Sequence, residues 1–552
     1  MRCVVAVLLV LFVGLSVGCQ EPNMRGVAKR ADQVKKHQER KILTPENSKF
    51  HKPRRPEPGE ASPETLASLD RSFEATRSFQ ASTGTPETVA LQNATRAVQA
   101  GLEAGPTLAI WLFDHSQSAQ QLVNDAASVA GRFYDSAEVQ QLPQSPEPQL
   151  LTVVASFDQK LNILTETPTS DATAIKAAMG QAGGTETKGE KTFTAIGEVL
   201  QKYADYRMQQ GRQVVLIVVT DEAGDDQNQV DKTVELAEKL TIPVYVVGPP
   251  APWGQMNPFA ARMGGMTSKP VAETAEQYPT HGPESRYSER VDVGFWGSGY
   301  GYRGSDLEIV DSGFGPFGLE WLCRASGGQY LAVRTLGGFR GGYGINTWPT
   351  AVATTFDDGS LSRYTPDYVS EERYQKLLAE NKARKALHEA AKLPSIKIDG
   401  NPETRFEKRN EAQTVRQMNA AQQFAARHAP PIDRVYEVLA QGEGDREKLT
   451  DPRWQAEFDL AMGRVTAAKV RIDGYNSMIA ALKRGKTFTK EGSSIWILQQ
   501  NDTIETGSAM QKMADKARMY LNRVVKEHPG TPWAKIAEEE LKTPLGWQWD
   551  EA

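Results

Sequence analysis

The strongest constraint on the fold of this chain is an uninterrupted apolar run that stops at an acidic residue. Residues 107–113 read Thr-Leu-Ala-Ile-Trp-Leu-Phe, and Asp114 follows directly. Such a run predicts a strand in the middle of a parallel sheet, where both faces are covered. The sequence continues as Asp114-His-Ser-Gln-Ser118, which places one carboxylate and two hydroxyl groups on a single short loop.

Strand and helix patterns alternate from residue 105 to residue 335. Alternation of this kind predicts a doubly wound, mostly parallel, Rossmann-like sheet with helices on both faces. Right-handed crossovers then place every strand-to-helix turn on the same edge of the sheet. The expected strands are 107–113, 150–157, 159–164, 214–220, 243–247 and 329–333, and the expected helices are 119–133, 170–181, 194–209, 228–240 and 316–326.

The second strongly buried strand also ends in an acidic residue, because residues 214–220 lead into Asp221. Asp221 is therefore expected on the same edge as Asp114. Between the two strands lies a glycine-rich loop that contains Thr185 and runs into a helix near Thr192. Mg²⁺ prefers six oxygen ligands, so oxygen-bearing side chains from several strand ends predict a cation site at this edge.

Together these features resemble the von Willebrand factor type A (vWA) domain and its metal-ion-dependent adhesion site. The family motif is Asp-x-Ser-x-Ser after the first strand, a threonine from a second loop, and an aspartate after a later buried strand. The resemblance covers roughly residues 105–335. It implies that Asp114, Ser116, Ser118 and Asp221 hold Mg²⁺ or another divalent cation such as Mn²⁺ or Ca²⁺.

The identity of the threonine ligand is open on sequence grounds. Thr185 lies in Gly-Gly-Thr-x-Thr, a frequent family spelling, whereas Thr192 lies at the start of the helix, where the family places its ligand. Thr192 is the preferred ligand for that reason. Asp221 is followed by Glu222 where the family often has glycine, which adds a negative charge at the rim of the site.

The resemblance implies protein binding rather than catalysis. Neutral hydroxyl ligands leave a cation electron-poor, so an Asp or Glu carboxylate of a protein ligand would complete its coordination. A metal-dependent hydrolase is the less favoured class, because the chain has no Gly-x-Ser-x-Gly and no His-Glu-x-x-His motif. A third interpretation is an envelope assembly scaffold that binds through its helical C-terminal domain.

Residues 1–19 have the pattern of an export signal, with Arg2 before an apolar core and small residues before Cys19. The segment resembles a bacterial lipoprotein signal, which implies lipidation of Cys19; an ordinary cleaved secretory signal is the alternative. Residues 20–62 are basic and Pro-rich and predict a disordered linker. We therefore expect an exported protein, lipid-anchored in the bacterial cell envelope and facing the periplasm or the cell surface.

Composition excludes two other classes of protein. With 64 basic and 69 acidic residues the net charge is -5, which gives no general case for nucleic-acid binding. Three cysteines cannot build a disulfide framework, and Cys323 is expected as a buried core thiol.

The remaining segments complete the predicted domain organisation. A helical lead-in occupies 63–104, the vWA-like domain 105–335, a connector 336–370 and an all-α domain 371–545.

The segment 248–313, rich in Gly, Pro and aromatic residues, is an insertion that predicts either an aromatic lid over the cation site or a small hairpin covering the sheet edge. Asp225 and Asp226 are either a second cation site or a solvated loop. In the helical domain the expected helices are 371–392, 404–428, 432–441, 452–484, 505–527 and 532–541, the last two loosely similar to a tetratricopeptide pair.

Overall fold

The computed structural model describes most of the chain from residue 86 onward. The predicted export signal, Cys19, the basic linker, the first part of the lead-in and Thr185 lie outside the described residues. The described ranges are 86–144, 147–184, 189–251, 284–287, 289–291, 293–294, 312–333, 361–394, 396, 398, 401–408 and 410–552.

A six-stranded sheet forms the centre of the α/β domain, in the order β3-β2-β1-β4-β5-β6. All neighbouring strands are parallel except β3, which pairs with β2 in the antiparallel direction. Every residue of β1 is buried, as its apolar sequence requires. The doubly wound, mostly parallel sheet predicted from the sequence is confirmed. The strands are β1 Thr107–Asp114, β2 Leu150–Phe157, β3 Leu161–Ile163, β4 Gln213–Val219, β5 Val244–Gly248 and β6 Tyr330–Ala332.

Helices cover both faces of this sheet. Successive side chains of β1 point to opposite faces of the sheet. Ala109, Trp111 and Phe113 pack against the face that carries α1, α2 and α4. The opposite face is covered by α5, α6 and α7. The described end of the helical lead-in, α1, is therefore part of the α/β domain, because it contributes directly to its core. The helices are α1 Pro86–Ala104, α2 Gln120–Tyr134, α3 Ala137–Gln140, α4 Ala172–Gly180, α5 Thr192–Met208, α6 Val230–Leu240 and α7 Phe317–Ser326.

The C-terminal domain is built on one long buried helix. This helix, α11, begins at Pro452 after Asp451 caps it through the backbone N–H of Arg453, and proline is well tolerated in the first turn. Helices α10, α12 and α13 pack around α11. The helices of this domain are α8 Glu371–Glu380, α9 Lys382–Ala391, α10 Glu411–Ala440, α11 Pro452–Lys483, α12 Ser508–Glu527 and α13 Pro532–Leu541.

The helical domain differs from the prediction in three places. Asn381 ends α8 and caps α9 with its side chain, so the helix expected over 371–392 is two helices. Conversely, the helices expected over 404–428 and 432–441 are one, since α10 continues through Pro430 and Pro431. The domain also contains an antiparallel sheet that an all-α prediction omitted, in the order β7-β8-β9. Its strands are β7 Arg405–Glu407, β8 Ile495–Asn501 and β9 Gly546–Glu551.

Part of the insertion after β5 packs in the helical domain, whereas Arg286 forms an ion pair with Asp231 of α6. Val291 and Val293 are buried in the same apolar cluster as α11, and Val293 pairs with Ile396 in a parallel bridge. The carboxylates of Glu284 and Glu289 bind Arg453 on α11. This stretch is therefore a core element of the second domain.

Candidate cation site at the carboxyl edge of the sheet

The predicted ligands lie where the strand order of the sheet reverses. Asp114 is the last residue of β1, and Asp221 comes two residues after the end of β4. These two strands are neighbours, and from them the sheet proceeds to β2 in one direction and to β5 in the other. Open α/β sheets bind ligands in the crevice at such a switch point, outside the carboxyl ends of the strands.

Asp114 is fully buried and held by two hydrogen bonds. One carboxylate oxygen accepts the backbone N–H of Ser116 at 2.9 Å, and the other accepts the Thr220 hydroxyl at 2.6 Å. Thr220 is a residue that the sequence analysis did not single out, although it immediately precedes Asp221. Its hydroxyl fixes the carboxylate of one strand end to the backbone of the next.

The two serines connect the first loop to Asp221. The hydroxyl oxygens of Ser116 and Ser118 are 3.1 Å apart, and the Ser118 hydroxyl donates to a carboxylate oxygen of Asp221 at 3.3 Å. Ser116 is buried, whereas Ser118 is exposed. Residues more than a hundred positions apart in the sequence therefore meet at one point on the rim, where Ser118 is exposed.

Thr192 is the first residue of α5 and is fully buried. Its hydroxyl has no hydrogen-bond partner within the described part of the chain. It lies against the turn that follows Asp221, because a Cβ built on Gly224 would come within 3.1 Å of the Thr192 hydroxyl oxygen. Gly224 has a φ of +87°, a backbone conformation that glycine adopts without strain.

The second loop packs tightly on the first. A Cβ at Gly184 would lie 1.6 Å from the carbonyl oxygen of His115, so no larger residue fits there. The backbone N–H of Gly184 donates to the Gln120 side chain at 2.8 Å, and His115 Nδ1 lies 3.0 Å from the carbonyl oxygen of Ala182. His115 thus contacts the second loop through its side chain.

Asp225 and Asp226 accept hydrogen bonds from backbone groups, although Asp225 is exposed as expected of a solvated acidic loop. The Asp226 carboxylate accepts the backbone N–H groups of Phe193 and Thr194 at 3.1 and 2.7 Å, which caps α5 from a distant loop. The Asp225 carboxylate accepts the backbone N–H of Glu190 at 3.1 Å. Both aspartates therefore position the segment that carries Thr192.

The two site aspartates are buried carboxylates whose pKa values are raised. Burial raises the pKa of Asp114. Burial, then the charge of Asp114, then that of Glu190 raise the pKa of Asp221 well above its ordinary value. One oxygen of Asp221 is buried without a hydrogen-bond partner in the described structure. Buried charges are ordinarily paired with a counter-charge or bound to a metal.

The donor set fits a hard divalent cation. The two aspartates, the two serines and Thr192 offer only oxygen atoms, which are the ligands that Mg²⁺, Mn²⁺ and Ca²⁺ take. The two oxygens that lack partners, one on Asp221 and one on Thr192, are the atoms that such an ion would satisfy. The described residues contain no group of three or more His, Cys, Asp or Glu side chains arranged to hold a metal.

The described residues also bear on the predictions for Cys323 and for the insertion after β5. Cys323 is buried and unpaired, as expected for a core thiol. No helix in the described ranges is both long and apolar enough to cross a bilayer. The aromatic residues proposed as a lid, Trp253, Phe295, Trp296, Tyr300 and Tyr302, fall outside the described ranges, and Val291 and Val293 of the same segment pack in the helical domain.

Comparison with known proteins does not identify a family for this chain. No protein-family model matches the chain, and no curated protein matches it. Among the similar solved structures is the crystal structure of the ArnB paralog VWA2 from Sulfolobus acidocaldarius. The similarity is 15% in sequence identity, covers 26% of this chain and 35% of that chain, and has a TM-score of 0.19. The fold class of the α/β domain therefore rests on its own sheet topology.

Proposed function

We propose that the α/β domain holds a divalent cation with Asp114, Ser116, Ser118, Thr192 and Asp221, and that it binds a protein ligand through an Asp or Glu carboxylate. Bound there, the cation would supply an electron-poor centre that attracts a carboxylate. The protein would act by binding rather than by catalysis. We further propose that it is exported and anchored in the cell envelope through lipid on Cys19.

One observation supports the cation site above all others. Asp221 and Thr192 come from different loops, and each buries an oxygen atom that has no partner in the described structure. A buried polar atom without a partner costs roughly 1–3 kcal/mol, so two on neighbouring loops call for a ligand. Ser118 is an exposed residue, so the site has a side open toward solvent.

The helical domain is a weaker candidate for the binding part. The apolar stripe of α11 could have formed a docking groove, but it is buried in the domain's own core. In the described ranges, the exposed large apolar side chains are Val415 and Met519, which are too few for a docking surface. The stripe residues are Trp454, Phe458, Val465, Ile472, Tyr475, Ile479 and Leu482.

Calorimetric titration of the metal-free full chain with Mg²⁺ and Mn²⁺ tests the cation site. We expect one site in the wild type and at least a tenfold loss of affinity in Asp221→Ala and in Thr192→Ala. Asp205→Asn, an exposed change near the far end of α5, is the matched control and should bind like the wild type. Equal affinity in all four proteins would exclude this ligand set.

Affinity capture from an envelope extract tests the protein ligand. The immobilised full chain is compared in Mg²⁺ and in chelator, and alongside an Asp114→Ala variant. A ligand of the proposed kind is retained only by the wild type in Mg²⁺, and loses binding when one of its own Asp or Glu residues is replaced by Asn or Gln. Retention of the same proteins under all conditions would contradict the proposal.

A further inference from the structure

Two arginines are buried at the opposite edge of the sheet, where the parallel strands begin. Arg207 is the penultimate residue of α5, and Arg212 lies in the turn that leads into β4. Their exposed fractions are 0% and 4%. The first residue of β4, Gln213, bonds through its backbone N–H to the carbonyl oxygen of Pro106 just before β1, so this turn is fixed to the start of the central strand.

Arg207 is held at one end of its guanidinium and has no partner at the other. Its Nη1 donates to the side-chain oxygen of Gln213 and, at 3.4 Å, to the carbonyl oxygen of Arg212. Its Nε and Nη2 are buried and have no hydrogen-bond partner among the described residues. These two N–H groups lie side by side on one edge of the guanidinium, the arrangement that binds two oxygens of a carboxylate or phosphate together.

Arg212 adds a further unpaired donor at the same edge of the sheet. Its Nη2 donates to the carbonyl oxygen of Pro148 at 2.9 Å and to Glu147 at 3.3 Å. The Glu147 side chain is 80% exposed, so it compensates little of a buried charge. The Nη1 of Arg212 is buried without a partner in the described ranges.

The missing counter-charge is costly because an arginine stays protonated in a protein. Burial lowers the pKa of Arg207 to about 9, with no acidic group opposing it. Elsewhere in this molecule, buried arginines such as Arg453 and Arg471 contact carboxylates. An unsatisfied buried group in a native protein calls for an ion or a water that satisfies it.

We propose that the paired Nε and Nη2 donors of Arg207 bind a small oxyanion, phosphate or sulfate, at the edge of the sheet where β1, β2 and β4 begin. Arg212 Nη1 is the further donor available at this edge. The inference is independent of the proposed cation site, which occupies the opposite edge and uses none of these residues.

Sulfate binding to the full chain in chelator tests this inference, because chelator removes any contribution from the cation site. Calorimetric titration of the wild type should show one saturable site. Arg207→Lys keeps the charge but loses the paired donors, and should weaken binding at least tenfold. Lys202→Met removes an exposed charge from the same helix and should leave the affinity unchanged.

Thermal unfolding provides a second measurement that needs little protein. Sulfate stabilises most proteins by exclusion from their surface, so the informative quantity is the difference between proteins at matched ionic strength. The midpoint of the wild type should rise by at least about 2 °C more than that of Arg207→Met. Absence of a saturable site in the wild type, or an equal sulfate response in Arg207→Met, would overturn the inference whether or not any variant folds poorly.

Discussion

The buried acidic groups that bind arginines in the helical domain contrast with the two site aspartates of the α/β domain. In the helical domain Glu540 lies between Arg464 and Arg471, and Glu289 between Arg453 and Tyr374. In the α/β domain no described cationic side chain forms an ion pair with Asp114 or Asp221, although both are buried as deeply.

The contrast appears in the pKa values of Glu540 and Asp221, whereas at Glu289 burial outweighs the charge of Arg453 and raises the pKa to about 7. Burial alone would raise the pKa of Glu540, but the charges of Arg471 and Arg464 outweigh it and the pKa is lowered. For Asp221 burial and the neighbouring carboxylates act in the same direction, so the pKa is raised. Buried charge is therefore structural where the chain supplies its own partner, and indicates a ligand where it does not.

Arg453→Met should give the largest effect, because it removes the partner of two buried carboxylates. We expect the free energy of unfolding to fall by about 3–5 kcal/mol, measured by urea denaturation of the full chain. Arg373→Met breaks the exposed pair with Glu380 and should cost less than about 1 kcal/mol. Similar losses in both variants would show that the buried pairs are not structural.

In the metal-free protein Asp221→Asn should not lower the free energy of unfolding, in contrast to Arg453→Met. Removing one of two neighbouring buried negative charges relieves repulsion, so the urea midpoint in chelator should equal or exceed that of the wild type. In Mg²⁺ at a hundred times its Kd the wild type should gain about 2.7 kcal/mol, and the variant should gain none. A variant destabilised in chelator would mean that Asp221 has a structural partner.

The pH dependence of the free energy of unfolding should also differ between the two domains. Burial, then the charges of Arg446 and Arg363, lower the pKa of His528 from 6.5 to about 4. The folded protein therefore resists a proton that the unfolded chain accepts, and stability is lost as pH falls through this window. His528→Gln should consequently gain stability relative to the wild type as pH falls from about 6.5 to 4.

The aspartate pair should show the reverse dependence. Because the pKa of Asp221 is raised above 3.8, ionising it is harder in the folded state, and stability is lost as pH rises above that value. Asp221→Asn in chelator should therefore gain relative stability as pH rises. Urea denaturation at several pH values measures both trends, and parallel slopes for His528→Gln and Asp221→Asn would contradict the contrast between the domains.

Much of the α/β domain was predictable because its signals are local. The strands β1, β2, β4 and β5 are mostly apolar, and their observed ends lie within one residue of the predicted ones. The placement of Asp114 and Asp221 then follows from the direction of parallel strands. The role of Thr220 was within reach, since a threonine beside Asp221 at a buried strand end is well placed to bond the neighbouring strand.

What escaped prediction depends on contacts between distant residues. Nothing near Thr192 in the sequence shows that Asp226 caps its helix, and nothing near Arg453 shows that Glu284 and Glu289 reach it. Pro430 predicted a break in α10, but burial of residues on both sides of it outweighs local preference. The strands β7 to β9 are short and widely separated in the chain, so their pairing has no local signature.

The place of residues 284–294 has a consequence for how this protein is made. These residues leave the ribosome well before the helices they pack against, and the sheet's last strand, β6, is synthesised only after them. Val291 and Val293 therefore cannot reach their native packing partners on α11 until more than a hundred further residues have been translated. Cutting the gene after residue 370 would separate the helices from part of their own interior, so neither half would be an independent module.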